Sequence, residues 1–345
     1  MIIWLGFTGL VFFSLIYSRI CNIELRYFLY FFIFFTITYF SAFRNGLGQD
    51  YSNYVDVIKY AQLEFTFKEP GYYLLVEFIR KFDLSEVVFF IFFSITTNAF
   101  ILITYTKSRS FYFSVLIYIF LPVLFFNTFN VVRQWCSAAI IVYGFKYIVE
   151  SNLLKYSLCV LLGAFFHLSA FVMLPFYYLL QIKLSSSFYL ICVFLSFLIG
   201  TVISPDFSSV LGEYINIYSH YFSEDEKVQG SNLLGLSFNL IFVYFCLNKN
   251  KLKLDKFSNL YFNAFFILVL LYNFIPSFFY LYRLTIYFLA ALPLALCLPC
   301  GRLRNWRLYS TFILFIYFLL FIFFLMSNLD NSKVIPDSIY FFGDL

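Results

Sequence analysis

The sequence predicts an all-α integral membrane protein, a single transmembrane domain over residues 1–345 that crosses the bilayer about 10–12 times. Three observations carry this expectation. Hydrophobic residues make up 63% of the 345-residue chain and charged residues 12%, against about 45–50% and about 25% in an average soluble domain. The apolar residues fall in runs long enough to cross about 30 Å of hydrocarbon as helices. Lysines and arginines gather in short turns between alternate runs, as the retention of cationic loops in the cytoplasm requires. A soluble globule could not cover the surface of 54 Phe and 30 Tyr with so few charges, and intrinsic disorder needs the opposite bias.

The N-terminal MIIWLGFTGL lacks the basic start and small-residue cleavage site of a signal peptide, so Ile2–Tyr17 reads as a retained first span. Further runs follow at Arg26–Phe43, Val87–Tyr105, Phe111–Phe129, Gln134–Val149, Phe188–Ile203, Leu233–Leu247, Phe257–Ile275, Leu284–Cys300 and Leu308–Met326. Between Tyr156 and Gln181 lies another apolar stretch, interrupted by His167 and Ser169. The basic turns are Arg19 with Arg26, Lys107 with Arg109, Lys146 with Lys155, Lys249–Lys256, and Arg302 with Arg304 and Arg307. A single crossing by 156–181 would invert every basic turn after it. Two arms of about 12 residues reach only about 18 Å each. They would form a hairpin of half-helices with His167 near its tip, which keeps all basic turns inside and both termini outside. One full span with a locally broken charge rule is the alternative.

Two outward segments are long, 44–85 and 204–232. In the first, EPGYYLLVEFIRKF places Tyr72, Leu75, Val76 and Ile79 at helical spacing, the pattern of an amphipathic helix along the membrane surface. The second carries Asp206, Glu213, His220, Glu224, Asp225 and Glu226 among aromatics, and His220 reads as a solvated surface residue. The seven cysteines lie mostly within apolar runs and behave as small hydrophobes. Cys297-Leu-Pro-Cys300 ends such a run with no second cysteine pair or histidine nearby, so it reads as packing rather than a redox or metal motif. The net charge is +5, and no basic run is long enough to suggest nucleic acid as a partner.

An ionisable group at membrane depth is costly unless paired or hydrated, which makes each one a candidate site residue. Arg44 opens FRNGLGQDYSNY, where Gly46 and Gly48 allow a tight turn before Asp50 and Tyr51. Exposed amides and a guanidinium in such a turn can hold phosphate. Arg133 and Gln134 begin a helix, whose positive end favours an anion; a snorkelling anchor is the other reading of Arg133. Arg283, beside Tyr280 and Tyr282, suits phosphate or sugar, or packs by cation–π contact. His167 can move a proton near neutral pH. A lone histidine on an apolar helix is ordinarily a satisfied core residue, and no second His, Asp or Glu in its helix suggests a metal. Arginines and one imidazole converging on the outer face fit a lipid-linked diphosphate sugar. The diphosphate needs bidentate cations, the acceptor hydroxyl needs a base, and aromatic rings stack on sugars.

The order of these pieces resembles the EpsG-like branch of Wzy-type polysaccharide polymerases, which includes the O-antigen polymerases of Gram-negative bacteria. The matching residues are Arg44-x-Gly46-x-Gly48-x-Asp50-Tyr51-x-x-Tyr54, Glu69-Pro70-Gly71-Tyr72, Arg133-Gln134 with Ala138–Ala139, His167-x-Ser169-Ala170 with Pro175, and Arg283 with Tyr287. The resemblance implies a GT-C-like helical enzyme of the bacterial inner membrane with its active site facing the periplasm. It would transfer a growing glycan from undecaprenyl diphosphate to the terminal sugar of the next lipid-linked repeat unit. It implies no metal, no nucleotide and no other cofactor. The expected partners are the lipid-linked donor and acceptor, membrane lipids and a chain-length regulator. By the same resemblance, Arg133 and Arg283 would bind the donor diphosphate and His167 would activate or position the acceptor hydroxyl. Arg44, Asp50 and Glu69 would shape the outer entrance, with Asp50 or Glu69 as the reserve base, and Gln134 and Tyr282 would complete the substrate contacts. A lipid-linked oligosaccharide flippase would use similar groups but should show internal pseudo-repeats, and none is visible. A glycan acyltransferase would place further polar residues beside its histidine, and FFHLSAF offers few.

Overall fold

The computed structural model describes residues 2–44, 46–48, 50–60, 69–202, 233–274 and 281–327, and all regular structure among them is helical. Helices α1 (Ile2–Ile20) and α2 (Ile23–Ala42) form an N-terminal pair, followed by the short α3 (Tyr51–Lys59) and α4 (Pro70–Lys81). Next come α5 (Val87–Tyr105), α6 (Phe111–Phe120), the 3-10 turn η1 (Phe126–Phe129), α7 (Val132–Val149) and α8 (Leu153–Phe166). Beyond His167 lie η2 (Leu168–Met173), α9 (Phe176–Leu179) and α10 (Ser186–Val202). The C-terminal part holds α11 (Leu233–Leu247), α12 (Lys249–Leu252), α13 (Lys256–Phe274), α14 (Leu281–Leu289), α15 (Leu292–Leu296) and α16 (Trp306–Ser327).

Five stretches, Ile3–Ile20, Ile23–Ala42, Val87–Tyr105, Lys256–Phe274 and Trp306–Met326, are long and apolar enough to cross a membrane. Four shorter apolar helices accompany them. The outer surface repeats the message: Phe13, Phe31, Leu154, Phe194 and Phe312 are all exposed. A water-soluble protein does not present so continuous an apolar shell; in hydrocarbon it costs nothing. This is an all-α polytopic membrane protein.

Polar side chains cap the helices where the sequence supplies them. Asn22 accepts the Leu25 N–H at 3.0 Å, Asn152 accepts that of Lys155 at 3.0 Å, and Asp255 accepts that of Ser258 at 2.8 Å, each satisfying a donor that the first turn leaves open. Two expected spans are broken. Phe111–Phe129 ends as α-helix at Phe120, because Pro122 forces the preceding Leu121 into extended backbone (φ −91, ψ 106). Leu284–Cys300 divides into α14 and α15 about Pro293, whose missing N–H cannot continue a helix.

The interrupted stretch folds back on itself. The Tyr156 hydroxyl donates to the Met173 carbonyl at 2.7 Å, and its ring lies 5.6 Å from that of Tyr177. His167, midway between them, is therefore at the tip of a hairpin. Its first arm is the α-helix α8, and its second is mostly 3-10 turns rather than a second half-helix. The second arm ends beside the basic turn at 249–256: Lys249 donates to the Leu184 carbonyl, and Asn259 donates to that of Ile182 at 3.1 Å. Other basic turns also meet, with Arg302 3.6 Å from Asp255 and Arg19 over the Tyr112 ring at 4.3 Å.

α4 appears where the periodicity places it. Val76 and Ile79 are buried in a cluster with Phe89, Phe90, Phe93 and Phe166, so its apolar face is turned onto α5 and α8 and not only toward a membrane surface; Leu74 and Phe78 remain exposed on the other face. Small residues let α7 and α8 approach closely: a side chain at Gly163 would meet the Ser137 hydroxyl at 2.9 Å, and one at Gly144 would meet Cys159 Cβ at 2.8 Å. In the C-terminal half, amides join helices in an apolar surrounding. Asn239 donates to Asn273 at 2.7 Å, and Asn273 donates to Ser196 at 2.8 Å, linking α11, α13 and α10. Asn263 donates to the Leu180 and Ile182 carbonyls at 2.9 and 2.6 Å and accepts from the Tyr189 hydroxyl at 2.5 Å. The outer segment 204–232, His220 included, lies outside the described residues.

Candidate active site

The chain leaves α2 at Arg44 and turns through Gly46 (φ 81) and Gly48 (φ 108). A Cβ at Gly48 would stand 2.6 Å from the Phe129 carbonyl oxygen. Glycine is needed there for both its left-handed backbone and its close approach to the segment before α7. Arg44 is buried, with its guanidinium 4.5 Å from the Phe90 ring and 5.1 Å from that of Phe129. Its Nε and Nη2 have no hydrogen-bond partner among the described residues. Burial pulls this guanidinium down to about 10, against the opposing influence of Tyr54, Tyr51 and Asp50.

Arg133, in the first turn of α7, lies over the ring of Tyr72 at 4.4 Å and over that of Tyr54 at 5.8 Å. Its Nη1 donates to Oε2 of Glu69 in an ion pair. Glu69 immediately precedes α4 and is brought there by Gly71, at which a side chain would stand 2.9 Å from the Phe165 carbonyl oxygen. The other carboxylate oxygen, Oε1, is 2.7 Å from Nδ1 of His167 and accepts the Leu168 N–H at 3.2 Å. Burial is the largest influence on Glu69 and pushes its carboxyl up. The His167 hydrogen bond, the Arg133 charge, the His167 charge and the Leu168 N–H outweigh it and hold the group below its ordinary value.

That ionised carboxylate can only accept, so the shared hydrogen belongs to Nδ1, and whenever the imidazole carries a single hydrogen its lone pair is on Nε2. No described hydrogen bond engages Nε2. His167 itself ends α8 in extended backbone (φ −152, ψ 115), its N–H still bonded to the Gly163 carbonyl at 3.0 Å.

The third contribution comes from α14. Gln134 donates to the Arg283 carbonyl, and the Tyr287 and Ser169 hydroxyls are 2.7 Å apart. The Arg283 side chain is exposed and Tyr282, beside it, is half-buried; the Tyr282 carbonyl accepts from Thr285 at 2.6 Å. Asp50 ties the groups together. Burial raises its carboxyl, while Arg283, Arg133 and Arg44 all pull it down. One carboxylate thus lies within electrostatic reach of all three arginines, although they are scattered over residues 44–283.

Arg44, Asp50, Glu69, Arg133, Gln134, His167 and Arg283 therefore occupy one end of the bundle. The basic turns lie at the other: Arg133 and Lys146 fall in the first and last turns of α7, about 20 Å apart at 1.5 Å per residue. Ser169 and Tyr287 join the cluster through their hydroxyls, and Tyr54 and Tyr72 through their rings. In the sequence, Tyr54 and Tyr287 stand out only as members of the matched motifs, whereas Tyr72 also falls on the helical spacing of α4 and Ser169 also interrupts an apolar stretch. Among the described residues, no group of three or more His, Cys, Asp or Glu side chains could hold a metal ion. Cys297 and Cys300 are buried free thiols, and the Cys297 sulfur accepts the Ser110 N–H at 3.1 Å, a packing contact beside the basic turn at Lys107 and Arg109 rather than in the cluster.

No curated protein and no solved structure matches the chain. The model of one family, EpsG, matches residues 27–339, a range that contains every residue of the cluster. The chain belongs to the EpsG family.

Proposed function

We propose that this protein is a polysaccharide polymerase, a membrane glycosyltransferase that joins repeat units carried on undecaprenyl diphosphate, as in O-antigen assembly. One observation carries the reading: guanidinium groups gather at one end of a helical membrane protein beside a histidine whose Nε2 is left to accept a proton. In the reaction, the acceptor sugar hydroxyl attacks the anomeric carbon of the donor glycan. The carbon–oxygen bond to the diphosphate breaks, undecaprenyl diphosphate departs with the electron pair, and the hydroxyl proton passes to His167 Nε2. Arg133 and Arg283 balance the charge growing on the departing diphosphate. Arg44 and Asp50 line the approach, and Tyr54 and Tyr72 offer faces for sugar rings. The step needs neither metal nor nucleotide.

The distribution of lysine and arginine supports the orientation, since cationic turns stay in the cytoplasm and the cluster lies at the opposite end. The reading therefore places the enzyme in a bacterial inner membrane, GT-C-like in general plan, with its site toward the periplasm. Complementation of a polymerase-null strain tests it. Wild type restores a ladder of long polysaccharide, while Arg133→Ala, Arg283→Ala and His167→Ala, at normal protein level, do not. Ladders retained by all three variants would remove the assigned site. Failure of deletion cells to accumulate single-repeat glycan on the outer leaflet would favour a flippase instead.

A further inference from the structure

Glu69 uses both carboxylate oxygens on different partners. Oε1 meets His167 Nδ1 at 2.7 Å and the Leu168 N–H at 3.2 Å, and Oε2 meets Arg133. The three partners come from two elements, the hairpin tip and the start of α7. Glu69 is only 17% exposed in its side chain, so water does not readily replace either contact. An ionised carboxylate accepts and never donates, so it forces the Nδ1–H form of the neutral imidazole. A histidine restricted to one tautomer keeps its proton-accepting lone pair at the other nitrogen.

We propose that Glu69 is the positioning residue of this site, neither an entrance residue nor a base. Its Oε1 fixes His167 as the Nδ1–H tautomer with Nε2 as the accepting atom. Its Oε2 fixes Arg133 at a set spacing from that imidazole. One side chain thereby registers the proton acceptor against the cation that meets the departing diphosphate. The inference rests on the polymerase reading for the roles of His167 and Arg133, but the tautomer it assigns does not depend on that reading.

The test uses the full chain in lipid nanodiscs with ring-15N histidine. The chain has two histidines, so a His220→Ala background leaves one imidazole to observe. The 15N shifts report which ring nitrogen carries the hydrogen, and undecaprenyl diphosphate serves as the binding probe. In the parent, His167 is expected as the Nδ1–H form. Arg133→Gln should keep that tautomer and weaken the probe by about tenfold or more, the loss of one charge-assisted contact. Glu69→Leu, which has no acceptor for the Nδ1–H, should lose the single tautomer, hold the probe to within about threefold because Arg133 remains, and abolish the polysaccharide ladder.

An Nε2–H tautomer in the parent, or an unchanged tautomer in Glu69→Leu, would overturn the assignment. So would loss of the probe in Glu69→Leu equal to that in Arg133→Gln, which would make Glu69 a binding residue. If Glu69→Leu fails to fold, as judged by size-exclusion profile, the parent and Arg133→Gln spectra decide the tautomer. A parent that gives the Nδ1–H form but does not bind undecaprenyl diphosphate leaves the tautomer standing and removes the polymerase reading.

Discussion

Replacing Gly71 with alanine should disable the site without touching a charged group. Gly71 is the second residue of α4, two positions after Glu69. Its added Cβ would stand 2.2 Å from Phe165 Cδ1 and 2.9 Å from the Phe165 carbonyl oxygen. The ring can swing aside, but the carbonyl belongs to the last turn of α8 and cannot. Reaching an ordinary separation of 3.4 Å from that oxygen requires about 0.5 Å of movement, and about 1.2 Å if the ring stays in place. Either shift carries Glu69 with it. The 2.7 Å bond to His167 then lengthens to between about 3.2 and about 3.9 Å, at or past the limit of a useful hydrogen bond. Overpacking of this kind costs roughly 1–3 kcal/mol, enough to lower the melting temperature without unfolding the protein. The control is Gly9→Ala in α1, where nothing lies within 4 Å and an alanine should gain about 0.5–1 kcal/mol. Melting in detergent and the polysaccharide ladder are the two measurements. A Gly71→Ala protein as stable and active as Gly9→Ala would refute the idea that this close approach sets Glu69 against His167.

Three further outcomes are expected. Asn263→Ala leaves the Leu180 carbonyl without its donor and the Ile182 carbonyl with Asn259 alone and should cost about 1–3 kcal/mol, read as a lower melting temperature; a neutral effect would mean water or another side chain replaces the amide. Ser41 and Ser94 bond at 2.9 Å in a buried contact between α2 and α5, so either single alanine should destabilise, while the double variant should lose less than the sum of the two. Glu69 is held below its ordinary value in the folded protein, so its stabilising contribution is complete above the unfolded value of about 4.3 and is lost as pH falls through the folded one. Glu69→Gln should therefore show a shallower fall in melting temperature as the pH drops below about 4.3, and an unchanged slope would count against the pairing.

What was legible in the sequence and what was not divides by the distance over which each signal acts. Helices such as α2 and α5 follow from runs of Phe, Ile and Leu that only a bilayer or a core accepts, and the buried face of α4 follows from the spacing of Val76 and Ile79. The hairpin at His167 was readable because charge parity between the turns at Lys146 with Lys155 and at Lys249–Lys256 is a property of the whole chain. Pro122 and Pro293 were available as local breakers, yet an uninterrupted apolar run overshadowed them. The partner of His167 was hidden: Glu69 is 98 positions away, and no periodicity links two residues that meet only through the packing of α4 on α8. For the same reason Arg133 had no acidic neighbour in sequence, although Glu69 pairs with it in the fold.

The buried asparagines have a mechanical consequence. Asn239, Asn263 and Asn273 stitch α10, α11 and α13 to one another and to the end of the hairpin. In a medium without competing water, such amides resist separation more than sliding contacts between phenyl rings do. That half behaves as a fixed post. The α3–α4 edge is joined to the rest chiefly by ring packing, the Glu69 bridge and the Lys59–Glu86 ion pair, so under the proposed polymerase reading any yielding that admits a bulky substrate falls to that edge, and its movement is felt at once by the imidazole.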